Sequence, residues 1–506
     1  MTSFCSLFLV CFLTCIQAGC EGSRPSQEEK PRRTQAVSPF VREKQPGEHP
    51  LRGKSLEISI LGISEWYPSE LIGAIAPRFS NYAKETYGYK VSVSFVGSSV
   101  WTLLDKVSAS LVTGSQEFNI IVIDSQWLGA LAGNGWIVRV NELVQKYPSL
   151  NIEWWDPVIK AAYMEYPMES GRLWGFPQEV DVIALYVRKD FFTDPAEQKA
   201  FKFKYNMDLP QTFEDFENLS MQDFEKIATF FTRPEEGFYG TVMQYSKKYD
   251  FMTMYLYPFM FSMGGKVWEP RDQRIYGVIN SDVNAEAMRW NRRMLAYQPP
   301  DAIHYGISEN RDAFIQGKVA TAFQWTAMGM AMITEENKDK VLVVPPPRFR
   351  QKNGSLRRVY SIGGQPWVVN AFNDEAHMRA VVDFLQWWYL PEIQLEFARR
   401  GGNPAAKATL DSPGFSELQP WFPTLKYMLT AKRSKDFWHH PKYAEMLEVQ
   451  QEAFTAYAAG KVDDPESTLE YIACCQQKIL FEYGSSRHSP PDSCADSMLK
   501  GFSLFK

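Results

Sequence analysis

The sequence predicts an α/β protein made of two compact bodies followed by a helical C-terminal portion. Three observations predict it. Short β-branched and aromatic runs alternate with helical-period segments from about residue 56 to 127. The same alternation resumes at 182 and runs to 325, and beyond 370 only helical patterns follow. Strands alternating with helices imply a mostly parallel sheet covered by helices. The chain has 506 residues, and a prior of roughly 150 residues per domain suggests two or three bodies.

The first residues, MTSFCSLFLVCFLTCIQAGC, hold an apolar run over 4–16. It is too short for a membrane-spanning helix, which needs about 20 residues, and matches a signal peptide. Its end, Gln17-Ala18-Gly19-Cys20, resembles a bacterial lipobox, which implies lipidation of Cys20. Gln17 stands where an aliphatic residue is usual, so a plain secretory signal is the alternative. Residues 21–54 are rich in Glu, Lys, Arg, Pro and Gln and too poor in apolar groups to order themselves, which predicts a tether.

The elements follow in order. LEISIL (56–61) alternates as a strand, and a helix is expected over 69–87. VSVSFVG from Val91 is a second strand. Ser98 or Ser99 can cap a helix with Trp101, Leu104, Val107 and Leu111 on one stripe, ending at Gly114. NIIVI (119–123) is a third strand, running into Asp124-Ser125-Gln126-Trp127. LPQTFEDFENL opens a helix, FYGTVMQ (238–244) reads as a strand, Asn280 or Ser281 caps a helix to 297, and VATAFQW is a strand. SIGGQPWVVN (361–370) precedes helices over 373–390, 415–432 and 443–460.

A net charge of −5 gives no basic footprint, which argues against nucleic acid. Outside the leader remain Cys474, Cys475 and Cys494. Export permits a disulfide between Cys494 and either vicinal cysteine. A metal site is the weaker reading, with only His488 nearby.

In parallel sheets ligands sit beyond the carboxyl ends of strands. That rule selects Glu65, Trp66 and Tyr67, then Ser98 and Ser99, then Asp124, Gln126 and Trp127. Flat rings among short acids, amides and hydroxyls suit a polyol, rings covering apolar faces and polar groups pairing hydroxyls. Core packing of the tryptophans is the alternative. The stretch GRLWGFPQEVDVIALYVRKDFF (171–192) adds Glu179 and Asp181 at the mouth of a strand.

That stretch, with LPQTFEDF, FMFSMGGKVW, NSDVNAEAMRW, FIQGKVATAFQW, SIGGQPWVVNAFNDEAHMRAVVDFLQWW and RRGGNPAAK, resembles in order and spacing the family 1 extracellular solute-binding proteins of ABC transporters, the maltose-binding-protein group. The resemblance spans 171–407 and implies a two-lobed periplasmic-binding-protein fold of type II. Two discontinuous α/β lobes would be joined by a hinge around a ligand cleft. Lobe one would hold 55–180 and 361–402, lobe two 184–345 and 403–480, with a tail over 481–506.

By motif position the resemblance adds Trp325 as an aromatic stacking surface, Tyr257 or Tyr255 as a second, Gly363, Gly364 and Gln365 as a close backbone approach, and, less directly, Gln324. Glu179 and Asp181 would line the cleft floor at the first crossover. It implies a non-catalytic receptor that needs no cofactor or metal, captures a carbohydrate and delivers it to membrane permease subunits. The protein would be periplasmic or held at the outer face of the cytoplasmic membrane by a lipid on Cys20. The alternative is a secreted glycoside hydrolase with Glu179 and Asp181 as acid and base.

Overall fold

β1 (Ser55–Ile63) pairs along its whole length with β2 (Lys90–Ser98), and on its other edge with β3 (Ile120–Val122), all three parallel. This is the computed structural model of the chain, and it describes residues 49–150, 155–430, 434–435 and 439–505. The signal segment, Cys20 and the tether to residue 48 lie outside the described residues.

Alternation along the strands buries both faces of this sheet. Ile58 and Ile60 join one core with Ile72, Phe79 and Phe384, whereas Leu61 and Ile63 join a second with Leu103, Val107 and Leu131. Period-two side-chain placement is the cause, and two covered faces are what a parallel sheet requires. The stripe on the helix Val100–Val112 is Leu103, Val107 and Leu111 rather than one through Trp101, which is 54% exposed. Ser99, not Ser98, caps it, its Oγ accepting from the Trp101 N–H. The helix expected over 69–87 is two, Tyr67–Ile75 and Phe79–Tyr87, parted by a 3-10 turn containing Pro77. Proline lacks the N–H that an unbroken helix would use there.

The chain then crosses. β4 (Phe176–Pro177) is the last strand of the first sheet, and β5 (Asp181–Arg188), buried almost throughout, is the centre of a second. β5 runs antiparallel to β6 (Thr321–Trp325) and β7 (Val341–Val344), so the second sheet is not the mostly parallel one expected. A two-stranded ribbon, β8 (Phe349–Arg350) with β9 (Leu356–Arg357), precedes the return crossing.

SIGGQPWVVN is two strands in two sheets. β10 (Tyr360–Gly363) pairs with β5, and β11 (Pro366–Val369) pairs with β3 and β4. Residues 361–363, expected with the first body, therefore hydrogen-bond into the second sheet. β12 (Ser434–Lys435) extends that sheet beyond β10.

FYGTVMQ is not a continuous strand. Tyr239 bonds to Lys318 and Ala320 just before β6 and Val242 to Thr321 and Phe323 within it, on either side of a break where the Thr241 N–H turns away to Tyr297. Gly240 permits the break: a Cβ there would stand 2.0 Å from the Ala228 carbonyl oxygen, so the chain passes too close for a regular pleat. The helix opened by LPQTFEDF is short, Phe213–Glu217, its Thr212 and Asp215 forming a reciprocal capping box.

Residues 49–54, expected within the tether, belong to the fold. His49 stacks on Tyr87 and Tyr89, its Nε2 lies 3.2 Å from Asp383, and Leu51 is buried. A flat ring and one leucine suffice where an aromatic slot is waiting.

Helices Tyr443–Ala458, Pro465–Glu482 and Cys494–Phe505 close the chain. Cys494 is bonded to Cys474, which leaves Cys475 as the free thiol of the vicinal pair. The 20-residue separation sets the loop-closure entropy removed from the unfolded chain, about 3 kcal/mol. A Cys475→Ser, Cys494→Ser double variant is therefore expected to lose about 3 kcal/mol in chemical denaturation, with little change in the slope. Among the described residues no helix is long and apolar enough to cross a membrane.

Candidate functional site

Where the two crossings meet, they are tied to each other. The Gln178 and Glu179 N–H groups donate to the Gln365 carbonyl at 2.9 and 3.1 Å, and the Gln365 N–H donates back to the Glu179 carbonyl. Gly364 makes the approach possible. Its φ is +111°, and a Cβ would stand 2.7 Å from the Glu179 oxygen and 3.1 Å from the Asp181 nitrogen. Glycine alone takes such a backbone cheaply.

Above this floor lies a cavity of ≈ 270 Å³. The first body supplies Glu65, Trp66, Trp101 and Asp124; the crossings supply Asp181, Gly363, Gly364 and Gln365; the second body supplies Tyr249, Asp250, Phe251 and Trp325. The two walls also touch each other directly. Tyr249 Oη donates to Asp124 Oδ2, Gln126 Nε2 to Asp250 Oδ2 at 3.4 Å, and the Trp101 ring meets Phe251 edge-on at 6.1 Å.

Each side chain is placed by the local fold. Glu65 and Trp66 sit on the turn after β1, and Glu65 adopts a left-handed φ of 61°. Asp124 follows β3, its Oδ1 accepting from the Gln126 N–H at 3.1 Å. Asp181 opens β5: its Oδ1 accepts from the Val182 and Ala327 N–H groups at 2.8 and 2.9 Å and from the Thr326 hydroxyl, tying the start of β5 to the end of β6. The Trp325 ring lies against Gly363, where a Cβ would come within 2.7 Å of it.

Of the residues singled out from sequence, Glu65, Trp66, Asp124, Asp181, Trp325, Gly363, Gly364 and Gln365 come together around this cavity. Gln126 is buried just beneath, against Asp124 and Asp250. Glu179 is fully buried behind the wall, both its oxygens accepting from Trp66 Nε1 at 3.2 and 3.0 Å. It is no solvated turn acid.

Three assignments move. Ser98 does not line the cavity; its hydroxyl meets Thr102 across the first turn of the helix it precedes. Tyr257 lines a separate cavity with Trp268 and Tyr443, its hydroxyl donating to Gln450, because it lies on the helix Phe251–Met263 nearly two turns past Phe251. Tyr255 and Gln324 are buried inside the body built around β5, Tyr255 donating to the Phe323 carbonyl and Gln324 accepting from Gln244.

Sequence reasoning missed Trp101 and the run from Ser246 to Phe251. The latter was within reach: YSKKYDF follows the segment that pairs with β6, and following that chain past Gln244 would have led to it.

Burial raises the carboxyls of Asp124, Glu179, Asp181 and Asp250 above their ordinary range. The neighbouring Asp181 charge adds to the rise at Glu179, and Asp124 adds to that at Asp250. Asp181 is pushed by burial from 3.8 to about 7, with hydrogen bonds from Thr326 and Ala327 restraining it. A carboxyl whose folded value is raised stabilises the fold fully below its unfolded value, and that contribution is lost as pH rises through the folded one. Asp181 therefore destabilises the unliganded protein progressively from about pH 4 to about 7. The Asp181→Asn variant should show a flatter fall in melting temperature over that window than the wild type.

Tyr249→Phe removes the hydroxyl that spans the cavity mouth and leaves Asp124 Oδ2 without its donor. Affinity for whichever sugar responds in a thermal-shift screen should fall by about tenfold, measured by calorimetry.

Two sheet-centred bodies, crossed by paired strands and walling one cavity from both sides, define the two-lobed periplasmic-binding-protein fold. The chain belongs to the bacterial extracellular solute-binding protein family, whose model matches residues 68–395. Solved structures share the fold. An ABC transporter solute-binding protein from Agrobacterium radiobacter K84, in complex with ribitol, aligns with a TM-score of 0.66 at 20% identity over 85% of this chain and 100% of that one. Maltose-bound MalE3 of T. maritima gives 0.67 at 18% over 84% and 100%. A solute-binding protein of Agrobacterium vitis S4 with bound D-mannitol gives 0.62 at 14% over 85% and 99%.

Proposed function

We propose that this protein captures a carbohydrate or polyol between its two lobes and delivers it, chemically unaltered, to the membrane permease of an ABC transporter. One observation carries the reading. The cavity draws aromatic rings from both bodies, Trp66 and Trp101 from one and Tyr249 and Trp325 from the other, around acids and backbone groups at the hinge. Rings cover the apolar faces of a sugar while carboxylates and amides pair its hydroxyls. A guest that touches both walls favours closure by as much as it binds the closed form better.

The volume of ≈ 270 Å³ lies near the low end of the roughly 300–1,000 Å³ usual for small-molecule sites. That favours one or two rings, or an open-chain polyol, over a long oligosaccharide. Structures of the same fold hold guests from ribitol, maltose and D-mannitol up to maltotetraose and cycloalternan, so the carbohydrate class rests on them and the size on the cavity alone.

Hydrolysis is the poorer reading. It requires two carboxyls flanking the scissile bond, whereas Glu179 is held behind the wall by Trp66 and only Asp181 of the pair reaches the cavity. In this reading lobe one is the body of β1–β4 and β11, and lobe two that of β5–β7, β10 and β12, with the interlobe boundaries at 178–180 and 364–365. Membership in an extracellular family supports export, and Cys20 is the proposed site of a lipid anchor.

The experiment is a thermal-shift screen of the purified protein against sugars and polyols, with chromatography of the recovered compound. A stoichiometric shift with intact ligand is expected. Turnover of an oligosaccharide would replace this reading with the hydrolase.

A further inference from the structure

The charges around the cavity are unevenly placed. At the rim two acids, Glu65 and Glu309, stand with two bases, Lys248 and His304, all four exposed. Asp124, Asp181 and Asp250 line the same cavity, with buried Glu179 behind Trp66, and among the described residues no Lys or Arg hydrogen-bonds any of these four carboxyls. Gathering carboxylates away from water without a counter-charge is costly.

Most of these oxygens are already occupied. Asp124 accepts from the Gln126 N–H and from Tyr249, Asp250 from Gln126 Nε2, and Glu179 from Trp66. Asp181 differs. Its Oδ1 takes three donors, while its Oδ2 has no hydrogen-bond partner, although the residue is 1% exposed and lines the cavity. A buried, unpartnered acceptor at a binding cavity calls for a donor brought by the guest.

A sugar hydroxyl could give that oxygen one hydrogen but no charge. An ammonium offers up to three N–H donors together with the missing positive charge. The faces of Trp66, Trp101, Tyr249 and Trp325 around it would also attract a cation.

We propose that the captured solute carries a positively charged amine, making it an amino sugar or an amine-bearing polyol, with the ammonium seated against Asp181 Oδ2. This rests on the carbohydrate reading and narrows it. Closure of the lobes over such a guest neutralises the hinge acids that an uncharged sugar would leave facing one another.

The test is calorimetry at neutral pH with matched pairs: D-glucosamine against D-glucose, and 1-amino-1-deoxy-D-sorbitol against D-sorbitol, with spermidine as a cation lacking the polyol. In at least one pair the amine should bind tighter by about tenfold or more. N-acetyl-D-glucosamine, whose amide is uncharged, should fall to the level of glucose. Asp181→Asn keeps an oxygen for the three donors on Oδ1 and should bring the amine preference close to one.

Neutral members that bind as well as their amine partners in both pairs overturn the proposal and leave the carbohydrate reading standing. So does a folded Asp181→Asn protein that keeps the full amine preference. If that variant does not fold, the wild-type comparison of glucosamine with its N-acetyl derivative decides alone. Binding of spermidine with no response to any sugar or polyol overturns the carbohydrate reading and this proposal with it.

Discussion

Trp325→Ala is expected to weaken sugar binding by roughly thirtyfold or more, the size typical of losing a central aromatic anchor. The ring sits at the end of β6, packed on Gly363 with one part turned to the cavity. It is only 7% exposed, so its loss reaches the fold as well as the cavity. Truncating so buried an indole also leaves a void, costing about 3 kcal/mol or more of stability. Calorimetry at low temperature, where the variant remains folded, separates the two effects. Trp325→Phe should recover most of the stability and only part of the affinity. Unchanged affinity in folded Trp325→Ala would place the ring in the core alone.

Gly364→Ala should destabilise the protein by about 2 to 5 kcal/mol, through backbone strain and a forced contact together. The added methyl meets main-chain atoms of Glu179 and Asp181, which cannot swing aside as a side-chain tip can. Gly354→Ala is the control. Its φ is +82°, but nothing lies within 4 Å of the added carbon, so only the strain remains. Comparison of the two denaturation midpoints isolates the contact, and equal midpoints would mean that the crossings are not locked at Gly364.

The first body was largely legible because its strands carry strong local signals. LEISIL and VSVSFVG alternate cleanly, and both appear as strands. The second was harder. β5 is buried on both faces and shows no alternation, and its neighbours run antiparallel, against the βαβ expectation. Gly240 broke the segment read as a strand, through a close approach to Ala228 that no local pattern announces. The helices Phe251–Met263 and Pro465–Glu482 escaped notice, the first because it is buried all round and so lacks a polar face.

Site residues divide the same way. Those on loops after clear strands, Glu65, Trp66 and Asp124, were found by rule, Asp181 by its place at the mouth of an apolar strand, and Trp325 by family resemblance. Tyr257 and Ser98 were misplaced because helical rotation and a one-residue choice of cap decide which way each side chain points. Sequence spacing does not resolve either to the needed precision. The choice between Cys474 and Cys475 likewise turned on helix rotation, since adjacent residues face about 100° apart.

His49 fixes where the leading segment joins the folded mass. Stacked on Tyr87 and Tyr89, with its Nε2 3.2 Å from Asp383, it joins residue 49 to the β1 half, far in sequence from either strand crossing. A load applied through residue 49 therefore enters the body built on β1 and not the one built on β5.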